Sequence, residues 1–265
     1  MGTGELLQEI RGNVGTLTIN RPEKANSLSV DLLLEIHQTL TEWAQRDDIR
    51  AVVITGAGDK AFSSGFDVRS IPTNVTPEMA ELLKTKHPLD LAFSSVKAYP
   101  YPVIAMLNGY ALGGGYNLAI CCDIRVAADD VRIGMPPAKL GLVYSMTGIK
   151  QFAEVLGLAK TRELFFTGRT YGPAEVREMG LVDHMYPRSE LADRTYSLAE
   201  EIAANAPLSL KGSKRIMNML GEAIALAEDQ IKEIETITSA AFNSEDLKEG
   251  MAAFIQKRRP EFKGR

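Results

Sequence analysis

The chain is poor in the residues that metal, disulfide and thiol chemistry need. It has only two cysteines and three histidines among 265 residues. The cysteines, Cys121 and Cys122, are adjacent, which is poor geometry for bridging each other. No cysteine and histidine spacing matches a metal-binding pattern. We therefore expect neither a disulfide framework nor a metal site.

Long apolar runs and a strong charge of one sign are missing too. No stretch is long enough to span a bilayer, and residues 1–5 lack the charged and apolar regions of a signal peptide. A net charge of −4 gives no general attraction to nucleic acid or anionic lipid. These features predict a cytoplasmic protein with neither a nucleic-acid nor a membrane partner.

Hydrophobic patterning predicts strands that alternate with helices. Alternating residues predict a hairpin, and short apolar runs predict further strands, at 6–11, 14–20, 51–55, 103–107, 123–128, 131–133 and 181–185. Helical periodicity follows Ser29, which can cap a helix. A separate helical segment covers 77–98, where Pro88 favours a break. Another helix starts near Gly114, and the pattern is largely helical from Ile149 onward. We predict an α/β core over 1–200 and a helical region over 201–265.

Two loop segments, 61–68 and 108–117, are built for backbone hydrogen-bond donors. The second contains Gly113-Gly114-Gly115 and leads into a helix, whose first N–H groups are unpaired. Such a site suits an anion, or a carbonyl oxygen that becomes one. The alternative is that the glycines only let the helix pack closely on its strand. A dinucleotide fingerprint needs a different glycine spacing near the first strand, so it is not met.

Four blocks of sequence carry a resemblance to a known family. They are, in chain order, Asn20-Arg21-Pro22 with Asn26; Ala61-Phe62-Ser63-Ser64-Gly65-Phe66-Asp67; Asn108-Gly109-Tyr110-Ala111-Leu112-Gly113-Gly114-Gly115 with Cys122-Asp123; and Asn243-Ser244-Glu245-Asp246 with Glu249-Gly250, Phe254 and Lys257-Arg258. Together they resemble the crotonase (enoyl-CoA hydratase/isomerase) superfamily over nearly the whole chain.

The resemblance implies a fold, a substrate and an assembly. The fold would be a spiral of stacked ββα turns, and the substrate an acyl-coenzyme A thioester, with no cofactor besides the coenzyme A of the substrate. The C-terminal helical region, 201–265, would support a homotrimer or a hexamer built as a dimer of trimers. Four apolar residues there fit burial against a neighbour: Ile231, Ile234, Ile237 and Phe242.

The resemblance also implies the roles of particular residues. The backbone N–H groups of Phe66 and Gly114 would form the oxyanion hole for the thioester carbonyl. Further residues would contact the substrate or its coenzyme A portion, namely Lys24, Ala25, Ser64, Asp67, Tyr110 and Pro137. Asp67 could be mistaken for a base, but positioning the loop is the simpler role. His87 lies where related enzymes draw site residues, although an exposed loop histidine is the simpler interpretation.

The chain departs from the hydratase pattern at two positions. Hydratases use two glutamates for proton transfer, and their places hold Asn117 and Pro137. An amide does not titrate near neutral pH, and proline has no side-chain proton. The run from Lys139 to Ser145 instead resembles methylmalonyl-CoA decarboxylases, which carry a catalytic tyrosine where Tyr144 stands. Those enzymes, however, have a histidine in place of Phe66.

We therefore predict an enzyme that stabilises an enolate, a decarboxylase-like lyase with Tyr144 as its proton donor. Apolar residues could dehydrate the leaving carboxylate, among them Phe66 and Pro137. An atypical enoyl-CoA hydratase or isomerase is the alternative, followed by a thioester hydrolase. A catalytically inactive acyl-CoA-binding protein is the alternative outside the enzymes. Tyr144 could also be a packed residue whose hydroxyl is satisfied elsewhere.

Overall fold

The computed structural model describes residues 4–67, 69, 76–222 and 228–263. Its strands are β1 (Leu6–Arg11), β2 (Val14–Ile19), β3 (Ala51–Gly56), β4 (Ala61–Ser63), β5 (Val103–Leu107), β6 (Tyr110–Leu112), β7 (Ile124–Ala128), β8 (Arg132–Gly134), β9 (Thr170–Tyr171) and β10 (His184–Tyr186). Its α-helices are α1 (Val30–Trp43), α2 (Pro77–Leu83), α3 (Pro88–Ala98), α4 (Gly114–Cys121), α5 (Met146–Thr167), α6 (Pro173–Glu178), α7 (Leu191–Ala203), α8 (Pro207–Glu222), α9 (Glu228–Phe242) and α10 (Glu245–Gln256).

Two sheets organise the strands. The larger runs in the order β1-β2-β3-β5-β7-β10, with β1 antiparallel to β2 and the other neighbours parallel. The smaller runs in the order β4-β6-β8-β9. The consecutive pairs β3–β4, β5–β6 and β7–β8 each give one strand to each sheet, and a helix follows each pair. The chain thus traces successive ββα turns, and the predicted α/β class is confirmed.

The central strands of the larger sheet form its core. Every residue of β3 and β5 is buried, as expected for parallel strands covered on both faces. Helix α7 covers part of this sheet, since Leu191, Ala199 and Ala203 pack with Val53 and Ile104. The sheet is therefore a rigid base for the segments that leave the ends of its strands.

Most elements agree with the sequence predictions, and the differences have physical reasons. The hairpin is confirmed, as is the Ser29 cap, whose hydroxyl oxygen accepts from the Leu32 N–H at 3.1 Å. Helices α2 and α3 are separate, so the break before Pro88 is confirmed. The strand predicted at 181–185 is instead His184–Tyr186, because the Leu181 N–H donates to the Val176 carbonyl at 3.0 Å and so closes the turn after α6.

Two segments predicted as loops contain strands, which is a correction. Strands β4 and β6 lie inside 61–68 and 108–117, and they pair in parallel with an irregular register. Strand β9 was likewise not predicted. Strands of two or three residues are too short to show alternation, so only tertiary pairing defines them.

The chain divides into two compact units. The first comprises Met1–Ile133 and Tyr171–Leu220, and it holds the larger sheet. The second comprises Gly134–Thr170 and Gly221–Arg265. The predicted boundary at residue 200 falls inside α7, and the trimerisation role of 201–265 stays a prediction.

The second unit consists mainly of α5, α9 and α10. Helix α5 has 22 residues but is kinked at Gly157, whose φ is 75°. Within the described ranges, no helix has both the length and the apolarity needed to cross a membrane.

Candidate active site

The loop that carries Phe66 is held by a buried arginine. The Arg21 guanidinium forms ion pairs with Asp67 and Glu5, both at 2.9 Å, and donates to the Ser27 carbonyl at 2.7 Å. Burial would raise the pKa of Asp67, but the hydrogen bond from Arg21 and the surrounding positive charges hold that pKa below its usual value. Asp67 is therefore an ionised anchor for this loop. Arg21 belongs to the first sequence block, but its contact with Asp67 could not be predicted from that motif.

Phe66 and Gly114 bring their backbone nitrogens to one small space. A methyl group on Gly114 would lie 3.4 Å from the Phe66 nitrogen, and one on Gly65 would lie 3.3 Å from the Gly114 nitrogen. Neither N–H donates a hydrogen bond within the described part of the chain. Gly114 is the first residue of α4, where N–H groups have no partner in the helix. The bridge between Leu28 and Phe66 is made by the Gly65 carbonyl and the Asp67 N–H, so it leaves the Phe66 N–H unused. Two adjacent unused donors can both donate to one oxygen that gains negative charge.

The structural reason for glycine differs among the three consecutive positions 113–115. Gly113 has a φ of 52° and precedes the helix, a conformation that other residues rarely adopt. A Cβ on Gly115 would meet the Ser63 carbonyl oxygen at 2.4 Å, so this glycine lets α4 pack against β4. Gly114 has neither constraint, since its substituent would meet only ordinary contacts. The close-packing interpretation thus explains Gly115, whereas Gly114 borders the unused donors.

Three residues predicted to contact coenzyme A lie together in the first unit. The Ser64 N–H donates to the Ala25 carbonyl at 3.0 Å, and the Ser64 hydroxyl donates to the Lys24 carbonyl at 3.4 Å. Ala25 itself has a left-handed backbone, with φ at 49°. Tyr110 is exposed and begins β6, its N–H bonded to the Lys60 carbonyl at 3.0 Å. The roles of Tyr110 and of these three residues in binding coenzyme A stay predictions.

Helix α3 begins beside this site at the exposed His87, which was considered above either as a site residue or as an exposed loop residue. Its N-cap, His87, packs edge-on against the Phe66 ring, with 5.1 Å between ring centroids. The Leu89 side chain would lie 3.5 Å from a methyl group on Gly114. Asp90 follows, and burial raises the pKa of its carboxyl. The His87 cap forms because α3 begins at Pro88, so Pro88 was the sequence signal from which this cap could have been predicted.

Helix α4 carries a buried amide, Asn117, and leads to two buried free thiols, Cys121 and Cys122. Asn117 is buried one turn after Gly113, and its side-chain nitrogen lies 3.7 Å from the Cys121 sulfur. Burial raises the pKa of the Cys122 thiol to about 12, so it stays protonated near neutral pH and is a poor nucleophile. Among the described residues, no histidine, cysteine, aspartate and glutamate side chains are grouped to hold a metal ion.

Tyr144 and Pro137 belong to the second unit. Pro137 is buried and starts a short 3₁₀ helix, Pro137–Leu140. A Cβ on Gly250 would meet the Leu140 carbonyl oxygen at 2.4 Å, so this glycine of the fourth sequence block lets α10 pack against that helix. Tyr144 is half-buried against Phe165, with ring centroids 5.6 Å apart.

Ser145 caps α5 directly after Tyr144. Its hydroxyl oxygen accepts from the Gly148 N–H at 3.1 Å. The cap fixes where α5 begins and so constrains the backbone beside Tyr144. A structural role for Ser145 accounts for its place in this run.

Comparisons with known proteins agree with this architecture. The family model for enoyl-CoA hydratase/isomerase matches residues 9–265. The short-chain-enoyl-CoA hydratase of Clostridium acetobutylicum is 33% identical over 273 residues, which covers 100% of both chains. A methylmalonyl-CoA decarboxylase complexed with 2S-carboxypropyl CoA has a TM-score of 0.90 at 29% identity, covering 100% of both chains. Carnitinyl-CoA hydratase from Mycobacterium avium has a TM-score of 0.81 at 30% identity, covering 99% of both.

The sequence blocks, the ββα turns and the paired donors therefore agree with a match that spans nearly the whole chain. The chain belongs to the enoyl-CoA hydratase/isomerase family, within the crotonase superfamily of acyl-CoA enzymes.

Proposed function

We propose that this protein is a decarboxylase-like lyase that releases carbon dioxide from a malonyl-type coenzyme A thioester. The thioester carbonyl accepts hydrogen bonds from the Phe66 and Gly114 N–H groups. Loss of carbon dioxide leaves an electron pair on Cα, which delocalises into the thioester as an enolate, and Cα then takes up one proton. This chemistry needs no cofactor besides the coenzyme A of the substrate, and no metal.

The observation that carries the proposal is the buried amide of Asn117, one turn into the helix that begins at Gly114. By resemblance, hydratases have a glutamate there, and an amide cannot take a proton from water near neutral pH. Decarboxylation needs no such base, because the carboxylate departs as carbon dioxide and leaves the electron pair of the broken bond on Cα. Phe66 lines the donors with an apolar ring, which disfavours hydration of a carboxylate and so favours its loss.

The structural comparisons support the same choice. The decarboxylase superposes with a TM-score of 0.90 and the carnitinyl-CoA hydratase with 0.81, although their sequence identities are nearly equal. A panel of acyl-CoA thioesters assayed by mass spectrometry tests the proposal. We expect carbon dioxide release from methylmalonyl-CoA or a related malonyl thioester. Recovery of every malonyl thioester unchanged would overturn it.

The second candidate is an atypical enoyl-CoA hydratase or isomerase, which the hydratase relative at 33% identity favours. It predicts addition of water to an enoyl thioester, or a shifted double bond, in the same panel. A hydrolase would release free coenzyme A, and an inactive acyl-CoA-binding protein would bind thioesters without turnover. The products distinguish these four functions.

We propose that Tyr144 delivers the proton that reaches Cα. Its place in the Lys139 to Ser145 run supports this role, and a tyrosine hydroxyl, with an ordinary pKa near 10, is a donor at pH 7. Tyr144→Phe should lower kcat for carbon dioxide release about a hundredfold or more, since general acids contribute ~10²–10⁴-fold. Turnover is measured beside Tyr186→Phe, which removes a hydroxyl on β10 and should have no effect. Equal rates for Tyr144→Phe and wild type would exclude the role of Tyr144.

We also propose that the chain forms a homotrimer or a dimer of trimers. In the single chain, apolar side chains of the second unit remain exposed, with Phe242 at 67% and Phe254 at 75%. Burying such surface between subunits is favourable, by ~25 cal/mol per Å². Sedimentation should give about three or six times the 29.0 kDa chain mass. A monomer at micromolar concentration would contradict this assembly.

A further inference from the structure

His87 occupies a defined place beside the unused backbone donors. Its ring meets the Phe66 ring edge-on at 61°, with centroids 5.1 Å apart. Two residues later, Leu89 lies where it would contact a substituent on Gly114, at 3.5 Å. The first turn of α3 therefore borders both residues that supply the donors.

The helix cap fixes which ring nitrogen of His87 carries the proton. Nδ1 accepts a hydrogen bond from the Leu89 N–H at 3.2 Å, so Nδ1 is unprotonated. In a neutral imidazole the proton then lies on Nε2. Nε2–H donates to none of the described residues, and it is the remaining hydrogen-bonding group of this side chain.

The ring is expected to stay neutral at physiological pH. Desolvation lowers the pKa of His87, and the negative charge of Asp90 offsets this only in part. A protonated ring would also present a donor at Nδ1 to the Leu89 N–H, which is itself a donor. His87 is therefore a neutral donor of fixed tautomer.

We propose that His87 determines substrate specificity by donating its Nε2–H to a carboxylate oxygen of the acyl group, an inference that rests on the proposed function. A neutral donor suits a carboxylate that must leave, because it orients the group without the strong ground-state stabilisation of a cation. The Asp90 carboxylate acts electrostatically on His87 and would also repel a negative charge held beside that ring, which favours loss of the carboxylate. The ligand class is an acyl-CoA whose acyl group bears a carboxylate.

The test measures binding of two thioethers that cannot turn over, carboxypropyl-CoA and propyl-CoA, by calorimetry. His87→Ser keeps a side chain that caps helices well and removes the imidazole donor. It should weaken carboxypropyl-CoA binding about ten- to a hundredfold, the effect of one hydrogen bond to a charged group. Propyl-CoA binding should change less than about twofold. His184→Ser, which removes a histidine from β10, is the matched control and should change neither.

Equal effects on the two thioethers, or no effect on either, would overturn the role of His87. If the serine variant fails to fold, His87→Asn provides the same comparison with another good cap. Because thioether binding needs no turnover, its result is independent of carbon dioxide release. If His87→Ser weakens only carboxypropyl-CoA binding, the carboxylate contact is supported even when the wild type releases no carbon dioxide. If the wild type releases carbon dioxide but His87→Ser affects both thioethers equally, only the carboxylate contact is refuted.

Discussion

Replacing Gly114 by alanine should lower kcat on the thioester identified by the panel at least about a hundredfold, while the protein stays folded. The added methyl group would lie 3.4 Å from the Phe66 nitrogen and 3.5 Å from Leu89, which are ordinary van der Waals distances. It would therefore fit without moving the backbone, but it would occupy the space in which the carbonyl oxygen must sit. An oxyanion-hole donor is worth ~3–4 kcal/mol in the transition state, or ~10²–10³ in rate.

The matched control for this variant is Gly212→Ala. Gly212 lies in α8, and, apart from its own helix, none of the described residues comes within 4 Å of the position that its Cβ would take. This alanine should leave kcat unchanged and stabilise the helix by about 0.5–1 kcal/mol. If Gly114→Ala is folded, as judged by its melting temperature, and retains wild-type kcat, then Phe66 and Gly114 do not form the oxyanion hole.

Hydration of crotonyl-CoA should be present only as a trace. By resemblance, Asn117 and Pro137 stand where hydratases have their two glutamates, and each such group contributes ~10²–10⁴-fold. Their joint absence removes both the base that activates water and the acid that delivers a proton to Cα. The loss of enoyl absorbance measures the rate, and a known hydratase of the family assayed in parallel confirms that the conditions permit hydration.

A rate close to the diffusion limit would contradict this prediction and require another base. Asp90 is then the first candidate, because burial raises the pKa of its carboxyl and it lies on the helix that borders Phe66. Loss of that hydration in Asp90→Asn would assign the activity to this carboxyl and would favour the hydratase alternative.

The elements that sequence could predict are those with enough residues to show a period. The hairpin, the Ser29 cap and the break before Pro88 follow from alternation, capping preference and the missing proline N–H. Strands β4 and β6 have three residues each and escaped prediction. Their pairing depends on segments nearly fifty residues apart along the chain, which no local pattern encodes.

The candidate site divides in the same way between local and long-range features. The motifs identified Phe66 and Gly114, because glycine-rich turns into helices have a local signature. The ion pair of Arg21 with Asp67 spans 46 positions and could not be predicted without the fold. His87 was expected to be exposed, and it is exposed, but its contact with Phe66 could not be predicted because it exists only once α3 lies beside that loop.

Turnover of methylmalonyl-CoA in deuterated water tests the central claim most directly. An enzyme that forms an enolate by decarboxylation should release one carbon dioxide per thioester and leave propionyl-CoA with one deuterium at Cα. Mass spectrometry of the product and of the released gas measures both quantities in one reaction. Propionyl-CoA with a single deuterium, formed in step with carbon dioxide, is the predicted result. If methylmalonyl-CoA and the related malonyl thioesters all stay intact, or are only hydrolysed to free coenzyme A, the account is contradicted.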